Sequence, residues 1–342
     1  MKIKTKIILA FFLTSIVPIF LIFIFYSQIS NILLNNFLQE ENRELSVKTE
    51  ILKTKLKDLE SDTLFLSRLV NLDFLLNNED KKTEKSIKNK LANDFLHFSQ
   101  EFKKYYQIRY INEDGKEVVR IDSDGKVSKR VEENKLQNKK GRYYFDDAVV
   151  LKKGEVFVSP LDLNIENGKL ENRGTIQNPK YVPVIRYATP VFDSKNKNKG
   201  IVITNIYADS FLKNLKDYQS KNNKKLLLIN KEGYYLSHPK SSKEWGNMLK
   251  NEQITSNDYP ELYLKLTLQE NGQFFEKQNS AYITFNRIYP SNISILSSSG
   301  SRQAYSKSSI KIQGKDYYWI ITTVVDRSYV FAKINRVFYW SL

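Results

Sequence analysis

The sequence predicts an α+β protein fixed to a membrane: an N-terminal transmembrane helix, a long stalk helix, then two tandem modules, each with a central antiparallel sheet flanked by helices. Three observations carry this. An uncharged apolar run lies near the N-terminus. A glycine- and proline-free stretch with a helical apolar period follows it. Beyond that, two strand-rich blocks repeat one another at an offset of 118 residues. The chain has 342 residues, 41% of them hydrophobic and 27% charged, so there is ample material for two or three cores.

The first element is Ile7 to Phe25, nineteen residues without a charge. At about 1.5 Å per residue the run spans roughly 28 Å, close to the hydrocarbon thickness of a bilayer. It is too long for the apolar region of a cleaved leader, and Tyr26-Ser27-Gln28-Ile29 offers no small-residue cleavage site. Pro18 is tolerated in such a span. Lys2, Lys4 and Lys6 precede the run and no basic residue follows until Arg43. The positive-inside rule then places residues 1–6 in the cytoplasm, 7–26 in the membrane and the main body outside. Residues 334–342 end Val337-Phe338-Tyr339-Trp340, like an aromatic interfacial belt, and read as the start of a second span.

Residues 27–100 read as the long helix and a second one supporting the body. Leu45, Leu52, Leu59 and Leu66 recur seven apart, with Thr49, Leu56, Thr63 and Val70 between them. This 3.5-residue stripe suits a homodimer seam or packing on the protein's own sheets, Ile51, Phe65 and Leu69 widening it toward the second; both are expected, with dimerisation through the long helix near the membrane and sheet packing further out. Asn77 to Lys82 breaks the pattern, and a second helix is expected over Thr83 to Lys104.

After Tyr105 the period switches to alternating strands. Ile111-Asn112-Glu113-Asp114-Gly115 and Ile229-Asn230-Lys231-Glu232-Gly233 share a turn pattern whose glycine supplies a positive backbone angle. At the same offset Ile201 to Tyr207 matches Trp319 to Val325. Two matches at one spacing imply duplicated modules, 101–218 and 219–333, joined at the polar stretch Ser220 to Lys224.

Composition excludes several functions. With no cysteine there are no disulfides, thiolate metal sites or cysteine nucleophiles. The two histidines, His97 and His238, are far apart, so no metal cluster is expected, and no motif calls for a cofactor. The net charge of +16 comes from forty-two scattered lysines and only twelve arginines, unlike the clustered arginines of a nucleic-acid reader, so no nucleic-acid partner is expected. Nucleotide loops and a nucleophile elbow are missing, and His238 precedes a proline, which is wrong for a helical phosphoacceptor. Asp122-Ser123-Asp124-Gly125 lacks the remaining ligands of a calcium loop and reads as an ordinary turn.

Four stretches carry a family resemblance: Tyr110 to Arg120, Val158 to Gly168, Pro183 to Asp193 and Gly200 to Ile206, with a looser echo in Gly233 to Pro239. Together with the anchor, stalk and tandem modules they resemble the double Cache, or tandem PAS-like, extracytoplasmic sensors of bacterial histidine kinases, diguanylate cyclases and chemoreceptors. The resemblance implies a small-molecule ligand in the membrane-distal first module and the cytoplasmic membrane as location. It also implies an output domain elsewhere, a histidine kinase being favoured over a chemoreceptor or cyclase. The chain itself is then not an enzyme. A membrane-anchored adhesion module without ligand is the alternative from another class.

Within the first module Arg109, Arg120 and Arg186 fall on expected strands, with Gln107 and Arg109 on one face. An inward arginine must be paired or ligated. Either they grip a carboxylate or other anion, or they pair with Glu117, Asp146, Asp147 or Asp162 or point to solvent. The candidate ligand-binding set is Arg109, Arg120, Tyr143, Tyr144, Phe157, Ser159, Arg186, Tyr187 and Asn205. The polar loop Ile165 to Gly174 is a lid or a connector. Ser297 to Ser301 reads as a flexible loop.

Overall fold

A computed structural model describes residues 3–166, 169–222, 224–251, 253–290, 296–298, 311–313 and 317–341. Three helices come first: α1 (Ile3–Leu66), α2 (Val70–Leu76) and α3 (Lys81–Glu101). At 64 residues α1 is about 96 Å long. It is the one helix among the described residues long and apolar enough to cross a membrane, and the side chains of its apolar segment that are described, such as Phe20 and Phe23, point outward. The expected unbroken helix to Leu76 stops ten residues early. Ser67 turns its hydroxyl back onto the Leu64 carbonyl, and Leu69 is extended where α2 begins. Asp80 caps α3 by accepting from the Lys82 amide, which starts that helix two residues before Thr83; it ends at Glu101, three before Lys104.

The first module continues with β1 (Tyr105–Ile111), β2 (Glu117–Ser123), β3 (Ser128–Arg130) and α4 (Tyr143–Val149). Four short strands follow, β4 (Phe157–Val158), β5 (Asp162–Leu163), β6 (Ile165–Glu166) and β7 (Lys169–Leu170), then β8 (Pro183–Phe192), β9 (Asn198–Tyr207) and α5 (Asp209–Asn222). The second module contains β10 (Lys225–Asn230), β11 (Tyr235–Ser237), α6 (Gly246–Leu249), α7 (Thr255–Asp258) and α8 (Pro260–Leu268). It closes with β12 (Asn271–Glu276), β13 (Ala281–Ile288), β14 (Leu296–Ser298), β15 (Lys311–Gln313), β16 (Trp319–Asp326) and α9 (Arg327–Ser341).

Both sheets are built around the repeated strands. The first runs β15-β14-β4-β8-β9-β1-β2-β3 with β5 on β8, and the second runs β11-β10-β16-β13-β12. The two turn glycines, Gly115 and Gly233, have φ of 83° and 93°, as the repeat requires. The duplication is inexact. Arg109 faces Ile203 across β1 and β9, whereas Leu227 faces Thr322 across β10 and β16, one residue out of step. β14 also leaves its own module and pairs in parallel with β4, Ser297 against Val158. Of the expected loop Ser297 to Ser301, the first two residues are therefore strand and the rest lie outside the described residues. α5 runs through much of the stretch expected as a linker.

Leu45, Thr49, Leu52, Leu56, Leu59, Thr63 and Leu66 are all buried, and α1 packs on β8, β9, β13 and β16. The heptad stripe is thus spent on the protein's own sheets. Hydrogen bonds fix the docking: the Thr63 and Thr204 hydroxyls lie 2.8 Å apart, and Asn286 donates to Thr49 at 3.1 Å. Near the membrane, α9 returns alongside α1, with Tyr26 donating to Asn335 at 2.7 Å and its ring meeting Phe338 edge-on at 5.0 Å.

The two sides of α1 should respond differently to truncation. Leu56→Ala, at a site 2% exposed, is expected to cost about 2–5 kcal/mol in chemical denaturation. Ile51→Ala, 52% exposed, should stay within about 0.5 kcal/mol of wild type.

Candidate functional site

The two faces of the first sheet do different jobs. Thr204 and Tyr105 face α1, the latter donating to Asp62 at 2.6 Å. Asn205, Arg109 and Arg186 face α4 and the loops that follow it. Because alternate residues of a strand point to opposite faces, Tyr187 cannot share a side with Arg186. Its buried phenol lies in the field of Glu60 from α1 and of Tyr317, with no hydrogen-bond partner for its hydroxyl among the described residues. Tyr187 is therefore removed from the candidate cluster; strand alternation alone could have excluded it.

The other candidates come together. Arg186 donates to Asp162 at 3.0 Å, to the Asn164 amide oxygen at 3.1 Å and to the Tyr143 hydroxyl at 3.3 Å. Ser159 holds the backbone of the same residue, its hydroxyl accepting from the Arg186 amide at 2.9 Å, and the Phe157 ring meets Tyr143 edge-on at 6.2 Å. Arg109 donates to Asn205 at 2.9 Å and to Glu117 at 3.4 Å; Asn205 in turn donates to Gln107. The Tyr144 ring joins the two arginines, 5.5 Å from the Arg109 guanidinium carbon and 5.9 Å from that of Arg186. Arg120 sits at the edge, bidentate on Asp122 at 2.7 and 2.8 Å and 3.6 Å from Glu117.

The pairing alternative for the arginines is met. They are paired, with Glu117, Asp122 and Asp162, yet they also converge. Asp146 is not a partner; it accepts from the Gly141 amide. Sequence reasoning missed Asn164, Lys139 and Gln107 as members. Gln107 shares a strand face with Arg109, a signal that was present in the alternation. Lys139 reaches the cluster only through tertiary folding, 3.8 Å from Glu117.

The electrostatics are uneven. Burial raises the Tyr144 phenol, but Arg109, Lys139, Arg142 and Arg186 outweigh it and hold the group below its ordinary value. Burial likewise raises Glu117, and the arginines, Lys139 and the Gln137 amide bring it down. For Asp162 burial wins over Arg186, and the carboxyl is pushed up to about 6. Within the cluster, Nε of Arg109 and Oδ2 of Asp162 are buried and have no partner among the described residues.

A hairpin, β6–β7, lies over this cluster. Glu166 approaches Gln107 at 3.5 Å and Arg120 at 3.9 Å. Beyond the hairpin, Arg173 rests between the Tyr106 and Tyr207 rings and donates to the Tyr207 hydroxyl at 2.9 Å. Glu171 accepts from Asn164 at 2.8 Å. Glu166 and Glu171 on either side of the turn thus both touch side chains of the cluster. Asp122 to Gly125 is an ordinary turn, Asp124 accepting from the Lys126 and Val127 amides.

Comparison with known proteins bears on this architecture. A comparison with curated proteins found no match. Among solved structures, the extracellular domain vpHK1S-Z8, assigned to a histidine kinase, superposes with a TM-score of 0.66 at 18% identity, covering 88% of this chain and 98% of the other. A domain of a sensory box/GGDEF family protein from Vibrio parahaemolyticus gives 0.66 and 18%, with 87% and 99% covered. The periplasmic sensory domain of the Campylobacter jejuni chemoreceptor Tlp1 gives 0.53 and 15%, with 86% and 96% covered. These likenesses establish the tandem Cache-type fold. The family model for the bacterial histidine kinase sensor domain matches residues 43–294, and the chain belongs to that family.

Proposed function

We propose that the arginine cluster of the first module binds a small solute bearing a carboxylate and a cationic group, and that binding biases a kinase output across the membrane. One observation carries the reading: two guanidinium groups share the Tyr144 ring, and beside them one buried donor, Arg109 Nε, and one buried acceptor, Asp162 Oδ2, are unsatisfied among the described residues. An unpaired buried polar atom costs about 1–3 kcal/mol, so a ligand offering a carboxylate to Arg109 and a cation to Asp162 recovers that cost at both ends. The C. jejuni Tlp3 sensory domain, with a TM-score of 0.52, was solved with isoleucine, a solute of this charge pattern.

Arg109 and Arg186 hold the carboxylate, Tyr144 orients it, Asn205 and Ser159 fix the strands beneath, and Tyr143 and Phe157 form the apolar wall. Arg120, occupied by Asp122, fixes the rim. The β6–β7 hairpin is the lid, since the cluster is buried beneath it. The body lies outside the cytoplasmic membrane, with Lys4 and its neighbours inside. Signalling runs through α1 and α9, whose contacts near the membrane make a shift of one against the other the natural output. With the heptad stripe buried, a homodimer would use the opposite face of α1, where Val47 and Ile51 are exposed.

Thermal-shift screening of the ectodomain against amino acids and organic acids should find a stabilising solute. At one hundred times its Kd the gain is about 2.7 kcal/mol. Arg186→Lys keeps the charge paired with Asp162 but loses the fork, so the same solute should bind at least roughly tenfold more weakly. An equal response in wild type and variant sinks the site.

The raised pKa of Asp162 has a defined sign. Its folded value, about 6, lies above the unfolded value of roughly 3.9, so the stability it contributes is full below about pH 4 and is lost as pH rises through 6. The melting temperature of wild type relative to Asp162→Asn should therefore fall between pH 4 and 7. A pH-independent difference would show that Asp162 is ionised throughout.

A further inference from the structure

Strand β5 is only two residues long, yet it touches three parts of the molecule. On one side, Asp162 and Asn164 hold the Arg186 guanidinium. Along one edge it pairs with β8, where Asn164 donates to the Val182 carbonyl at 2.7 Å. The remaining amides, those of Leu161 and Leu163, have no partner in their own module. The second module supplies both acceptors: Leu161 donates to the Tyr317 hydroxyl at 2.8 Å, and Leu163 to the Met248 sulfur at 3.0 Å. All four residues are buried, so neither amide has water as a substitute.

The Tyr317 hydroxyl also accepts from the Trp319 indole at 3.0 Å, and Trp319 stacks on Phe211 of α5 at 6.1 Å. Trp319 opens β16, the strand between β10 and β13, and β16 runs straight into α9. An uninterrupted set of bonded groups therefore leads from Asp162 through Leu161, Tyr317 and β16 to the helix that meets Tyr26 near the membrane.

We propose that β5 is the joint through which the arginine cluster sets the position of the second module, with the Tyr317 hydroxyl as its latch and Met248 as a second hold. Tyr317 is a positioning residue and touches no ligand. The joint rests on reading the cluster as the ligand site: a solute competing for Arg186 or Asp162 moves β5, and β5 cannot move without stretching both contacts to the second module. Because each contact crosses between modules at a buried amide, breaking either leaves that amide unsatisfied, which ties the position of β5 to that of the second module.

Hydrogen–deuterium exchange on the full chain in detergent tests the joint without any solute. Asp162→Asn weakens the grip on Arg186 and should raise exchange by about fivefold both at Leu161 to Asn164 and within Trp319 to Asp326. In a Tyr317→Phe background the effect on Leu161 to Asn164 should persist and the effect on Trp319 to Asp326 should vanish. Met248→Leu, which keeps the volume and deletes the acceptor, should reduce the transmitted effect and serves if Tyr317→Phe does not fold. Faster exchange confined to the distal strand in the otherwise wild-type chain overturns the proposal, as does transmission undiminished by either substitution. Loss of the ligand reading would appear instead as absence of solute stabilisation, with this exchange pattern intact.

Discussion

Burying the Arg186 guanidinium in the middle of a ten-residue strand is the constraint on which the first module depends. A charge in that position demands acceptors on its own side of the sheet, and β8 alone cannot provide them. The chain answers by folding β5 back along β8, bringing Asp162 and Asn164 against the guanidinium, and by setting α4 above it with Tyr143 and Tyr144. The arginine thus specifies where two loops and a helix lie. Arg109, two strands away on β1, repeats the arrangement with Glu117 and Asn205, and Tyr144 bridges the two. The compensation leaves the Arg109 Nε and the Asp162 Oδ2 over among the described residues.

The other face of the same sheet has the opposite character. It is closed against α1 by apolar contacts and a few threonine hydroxyls, and the second module leans on the same helix lower down. At that lower level Lys224 joins Glu41 and Glu44 of α1, Glu41 being buried and its carboxyl raised by that burial. One helix therefore carries both modules and continues into the membrane segment, so a displacement of either sheet is read against a common rod.

Much of this was legible in the sequence because it depends on local chemistry. The apolar run, the turn glycines Gly115 and Gly233, and the repeat of β1 with β10 and β9 with β16 are properties of short segments. The apolar period of α1 was equally plain, though not its use: the same stripe suits a dimer or a sheet, and only the buried state of Leu45 through Leu66 decides between them. What sequence could not show depends on register and long-range pairing. Asp162 and Asn164 meet Arg186 through the way β5 returns along β8, and Lys139 arrives through a loop. β14 joins the neighbouring module's sheet, which no local pattern announces. Tyr187 was a different failure, since alternation along Arg186-Tyr187 already placed it on the far face.

The central claim is that Arg109 and Arg186 form the solute-binding face, and the most direct measurement is nitrogen-15 NMR of the arginine side chains during titration with amino and organic acids. The account predicts that the Nε–H signals of Arg109 and Arg186 shift together and saturate with one solute, Arg109 most strongly because its Nε–H has no partner among the described residues. Saturable binding that leaves both signals in place, or moves only groups in the second module, would contradict it.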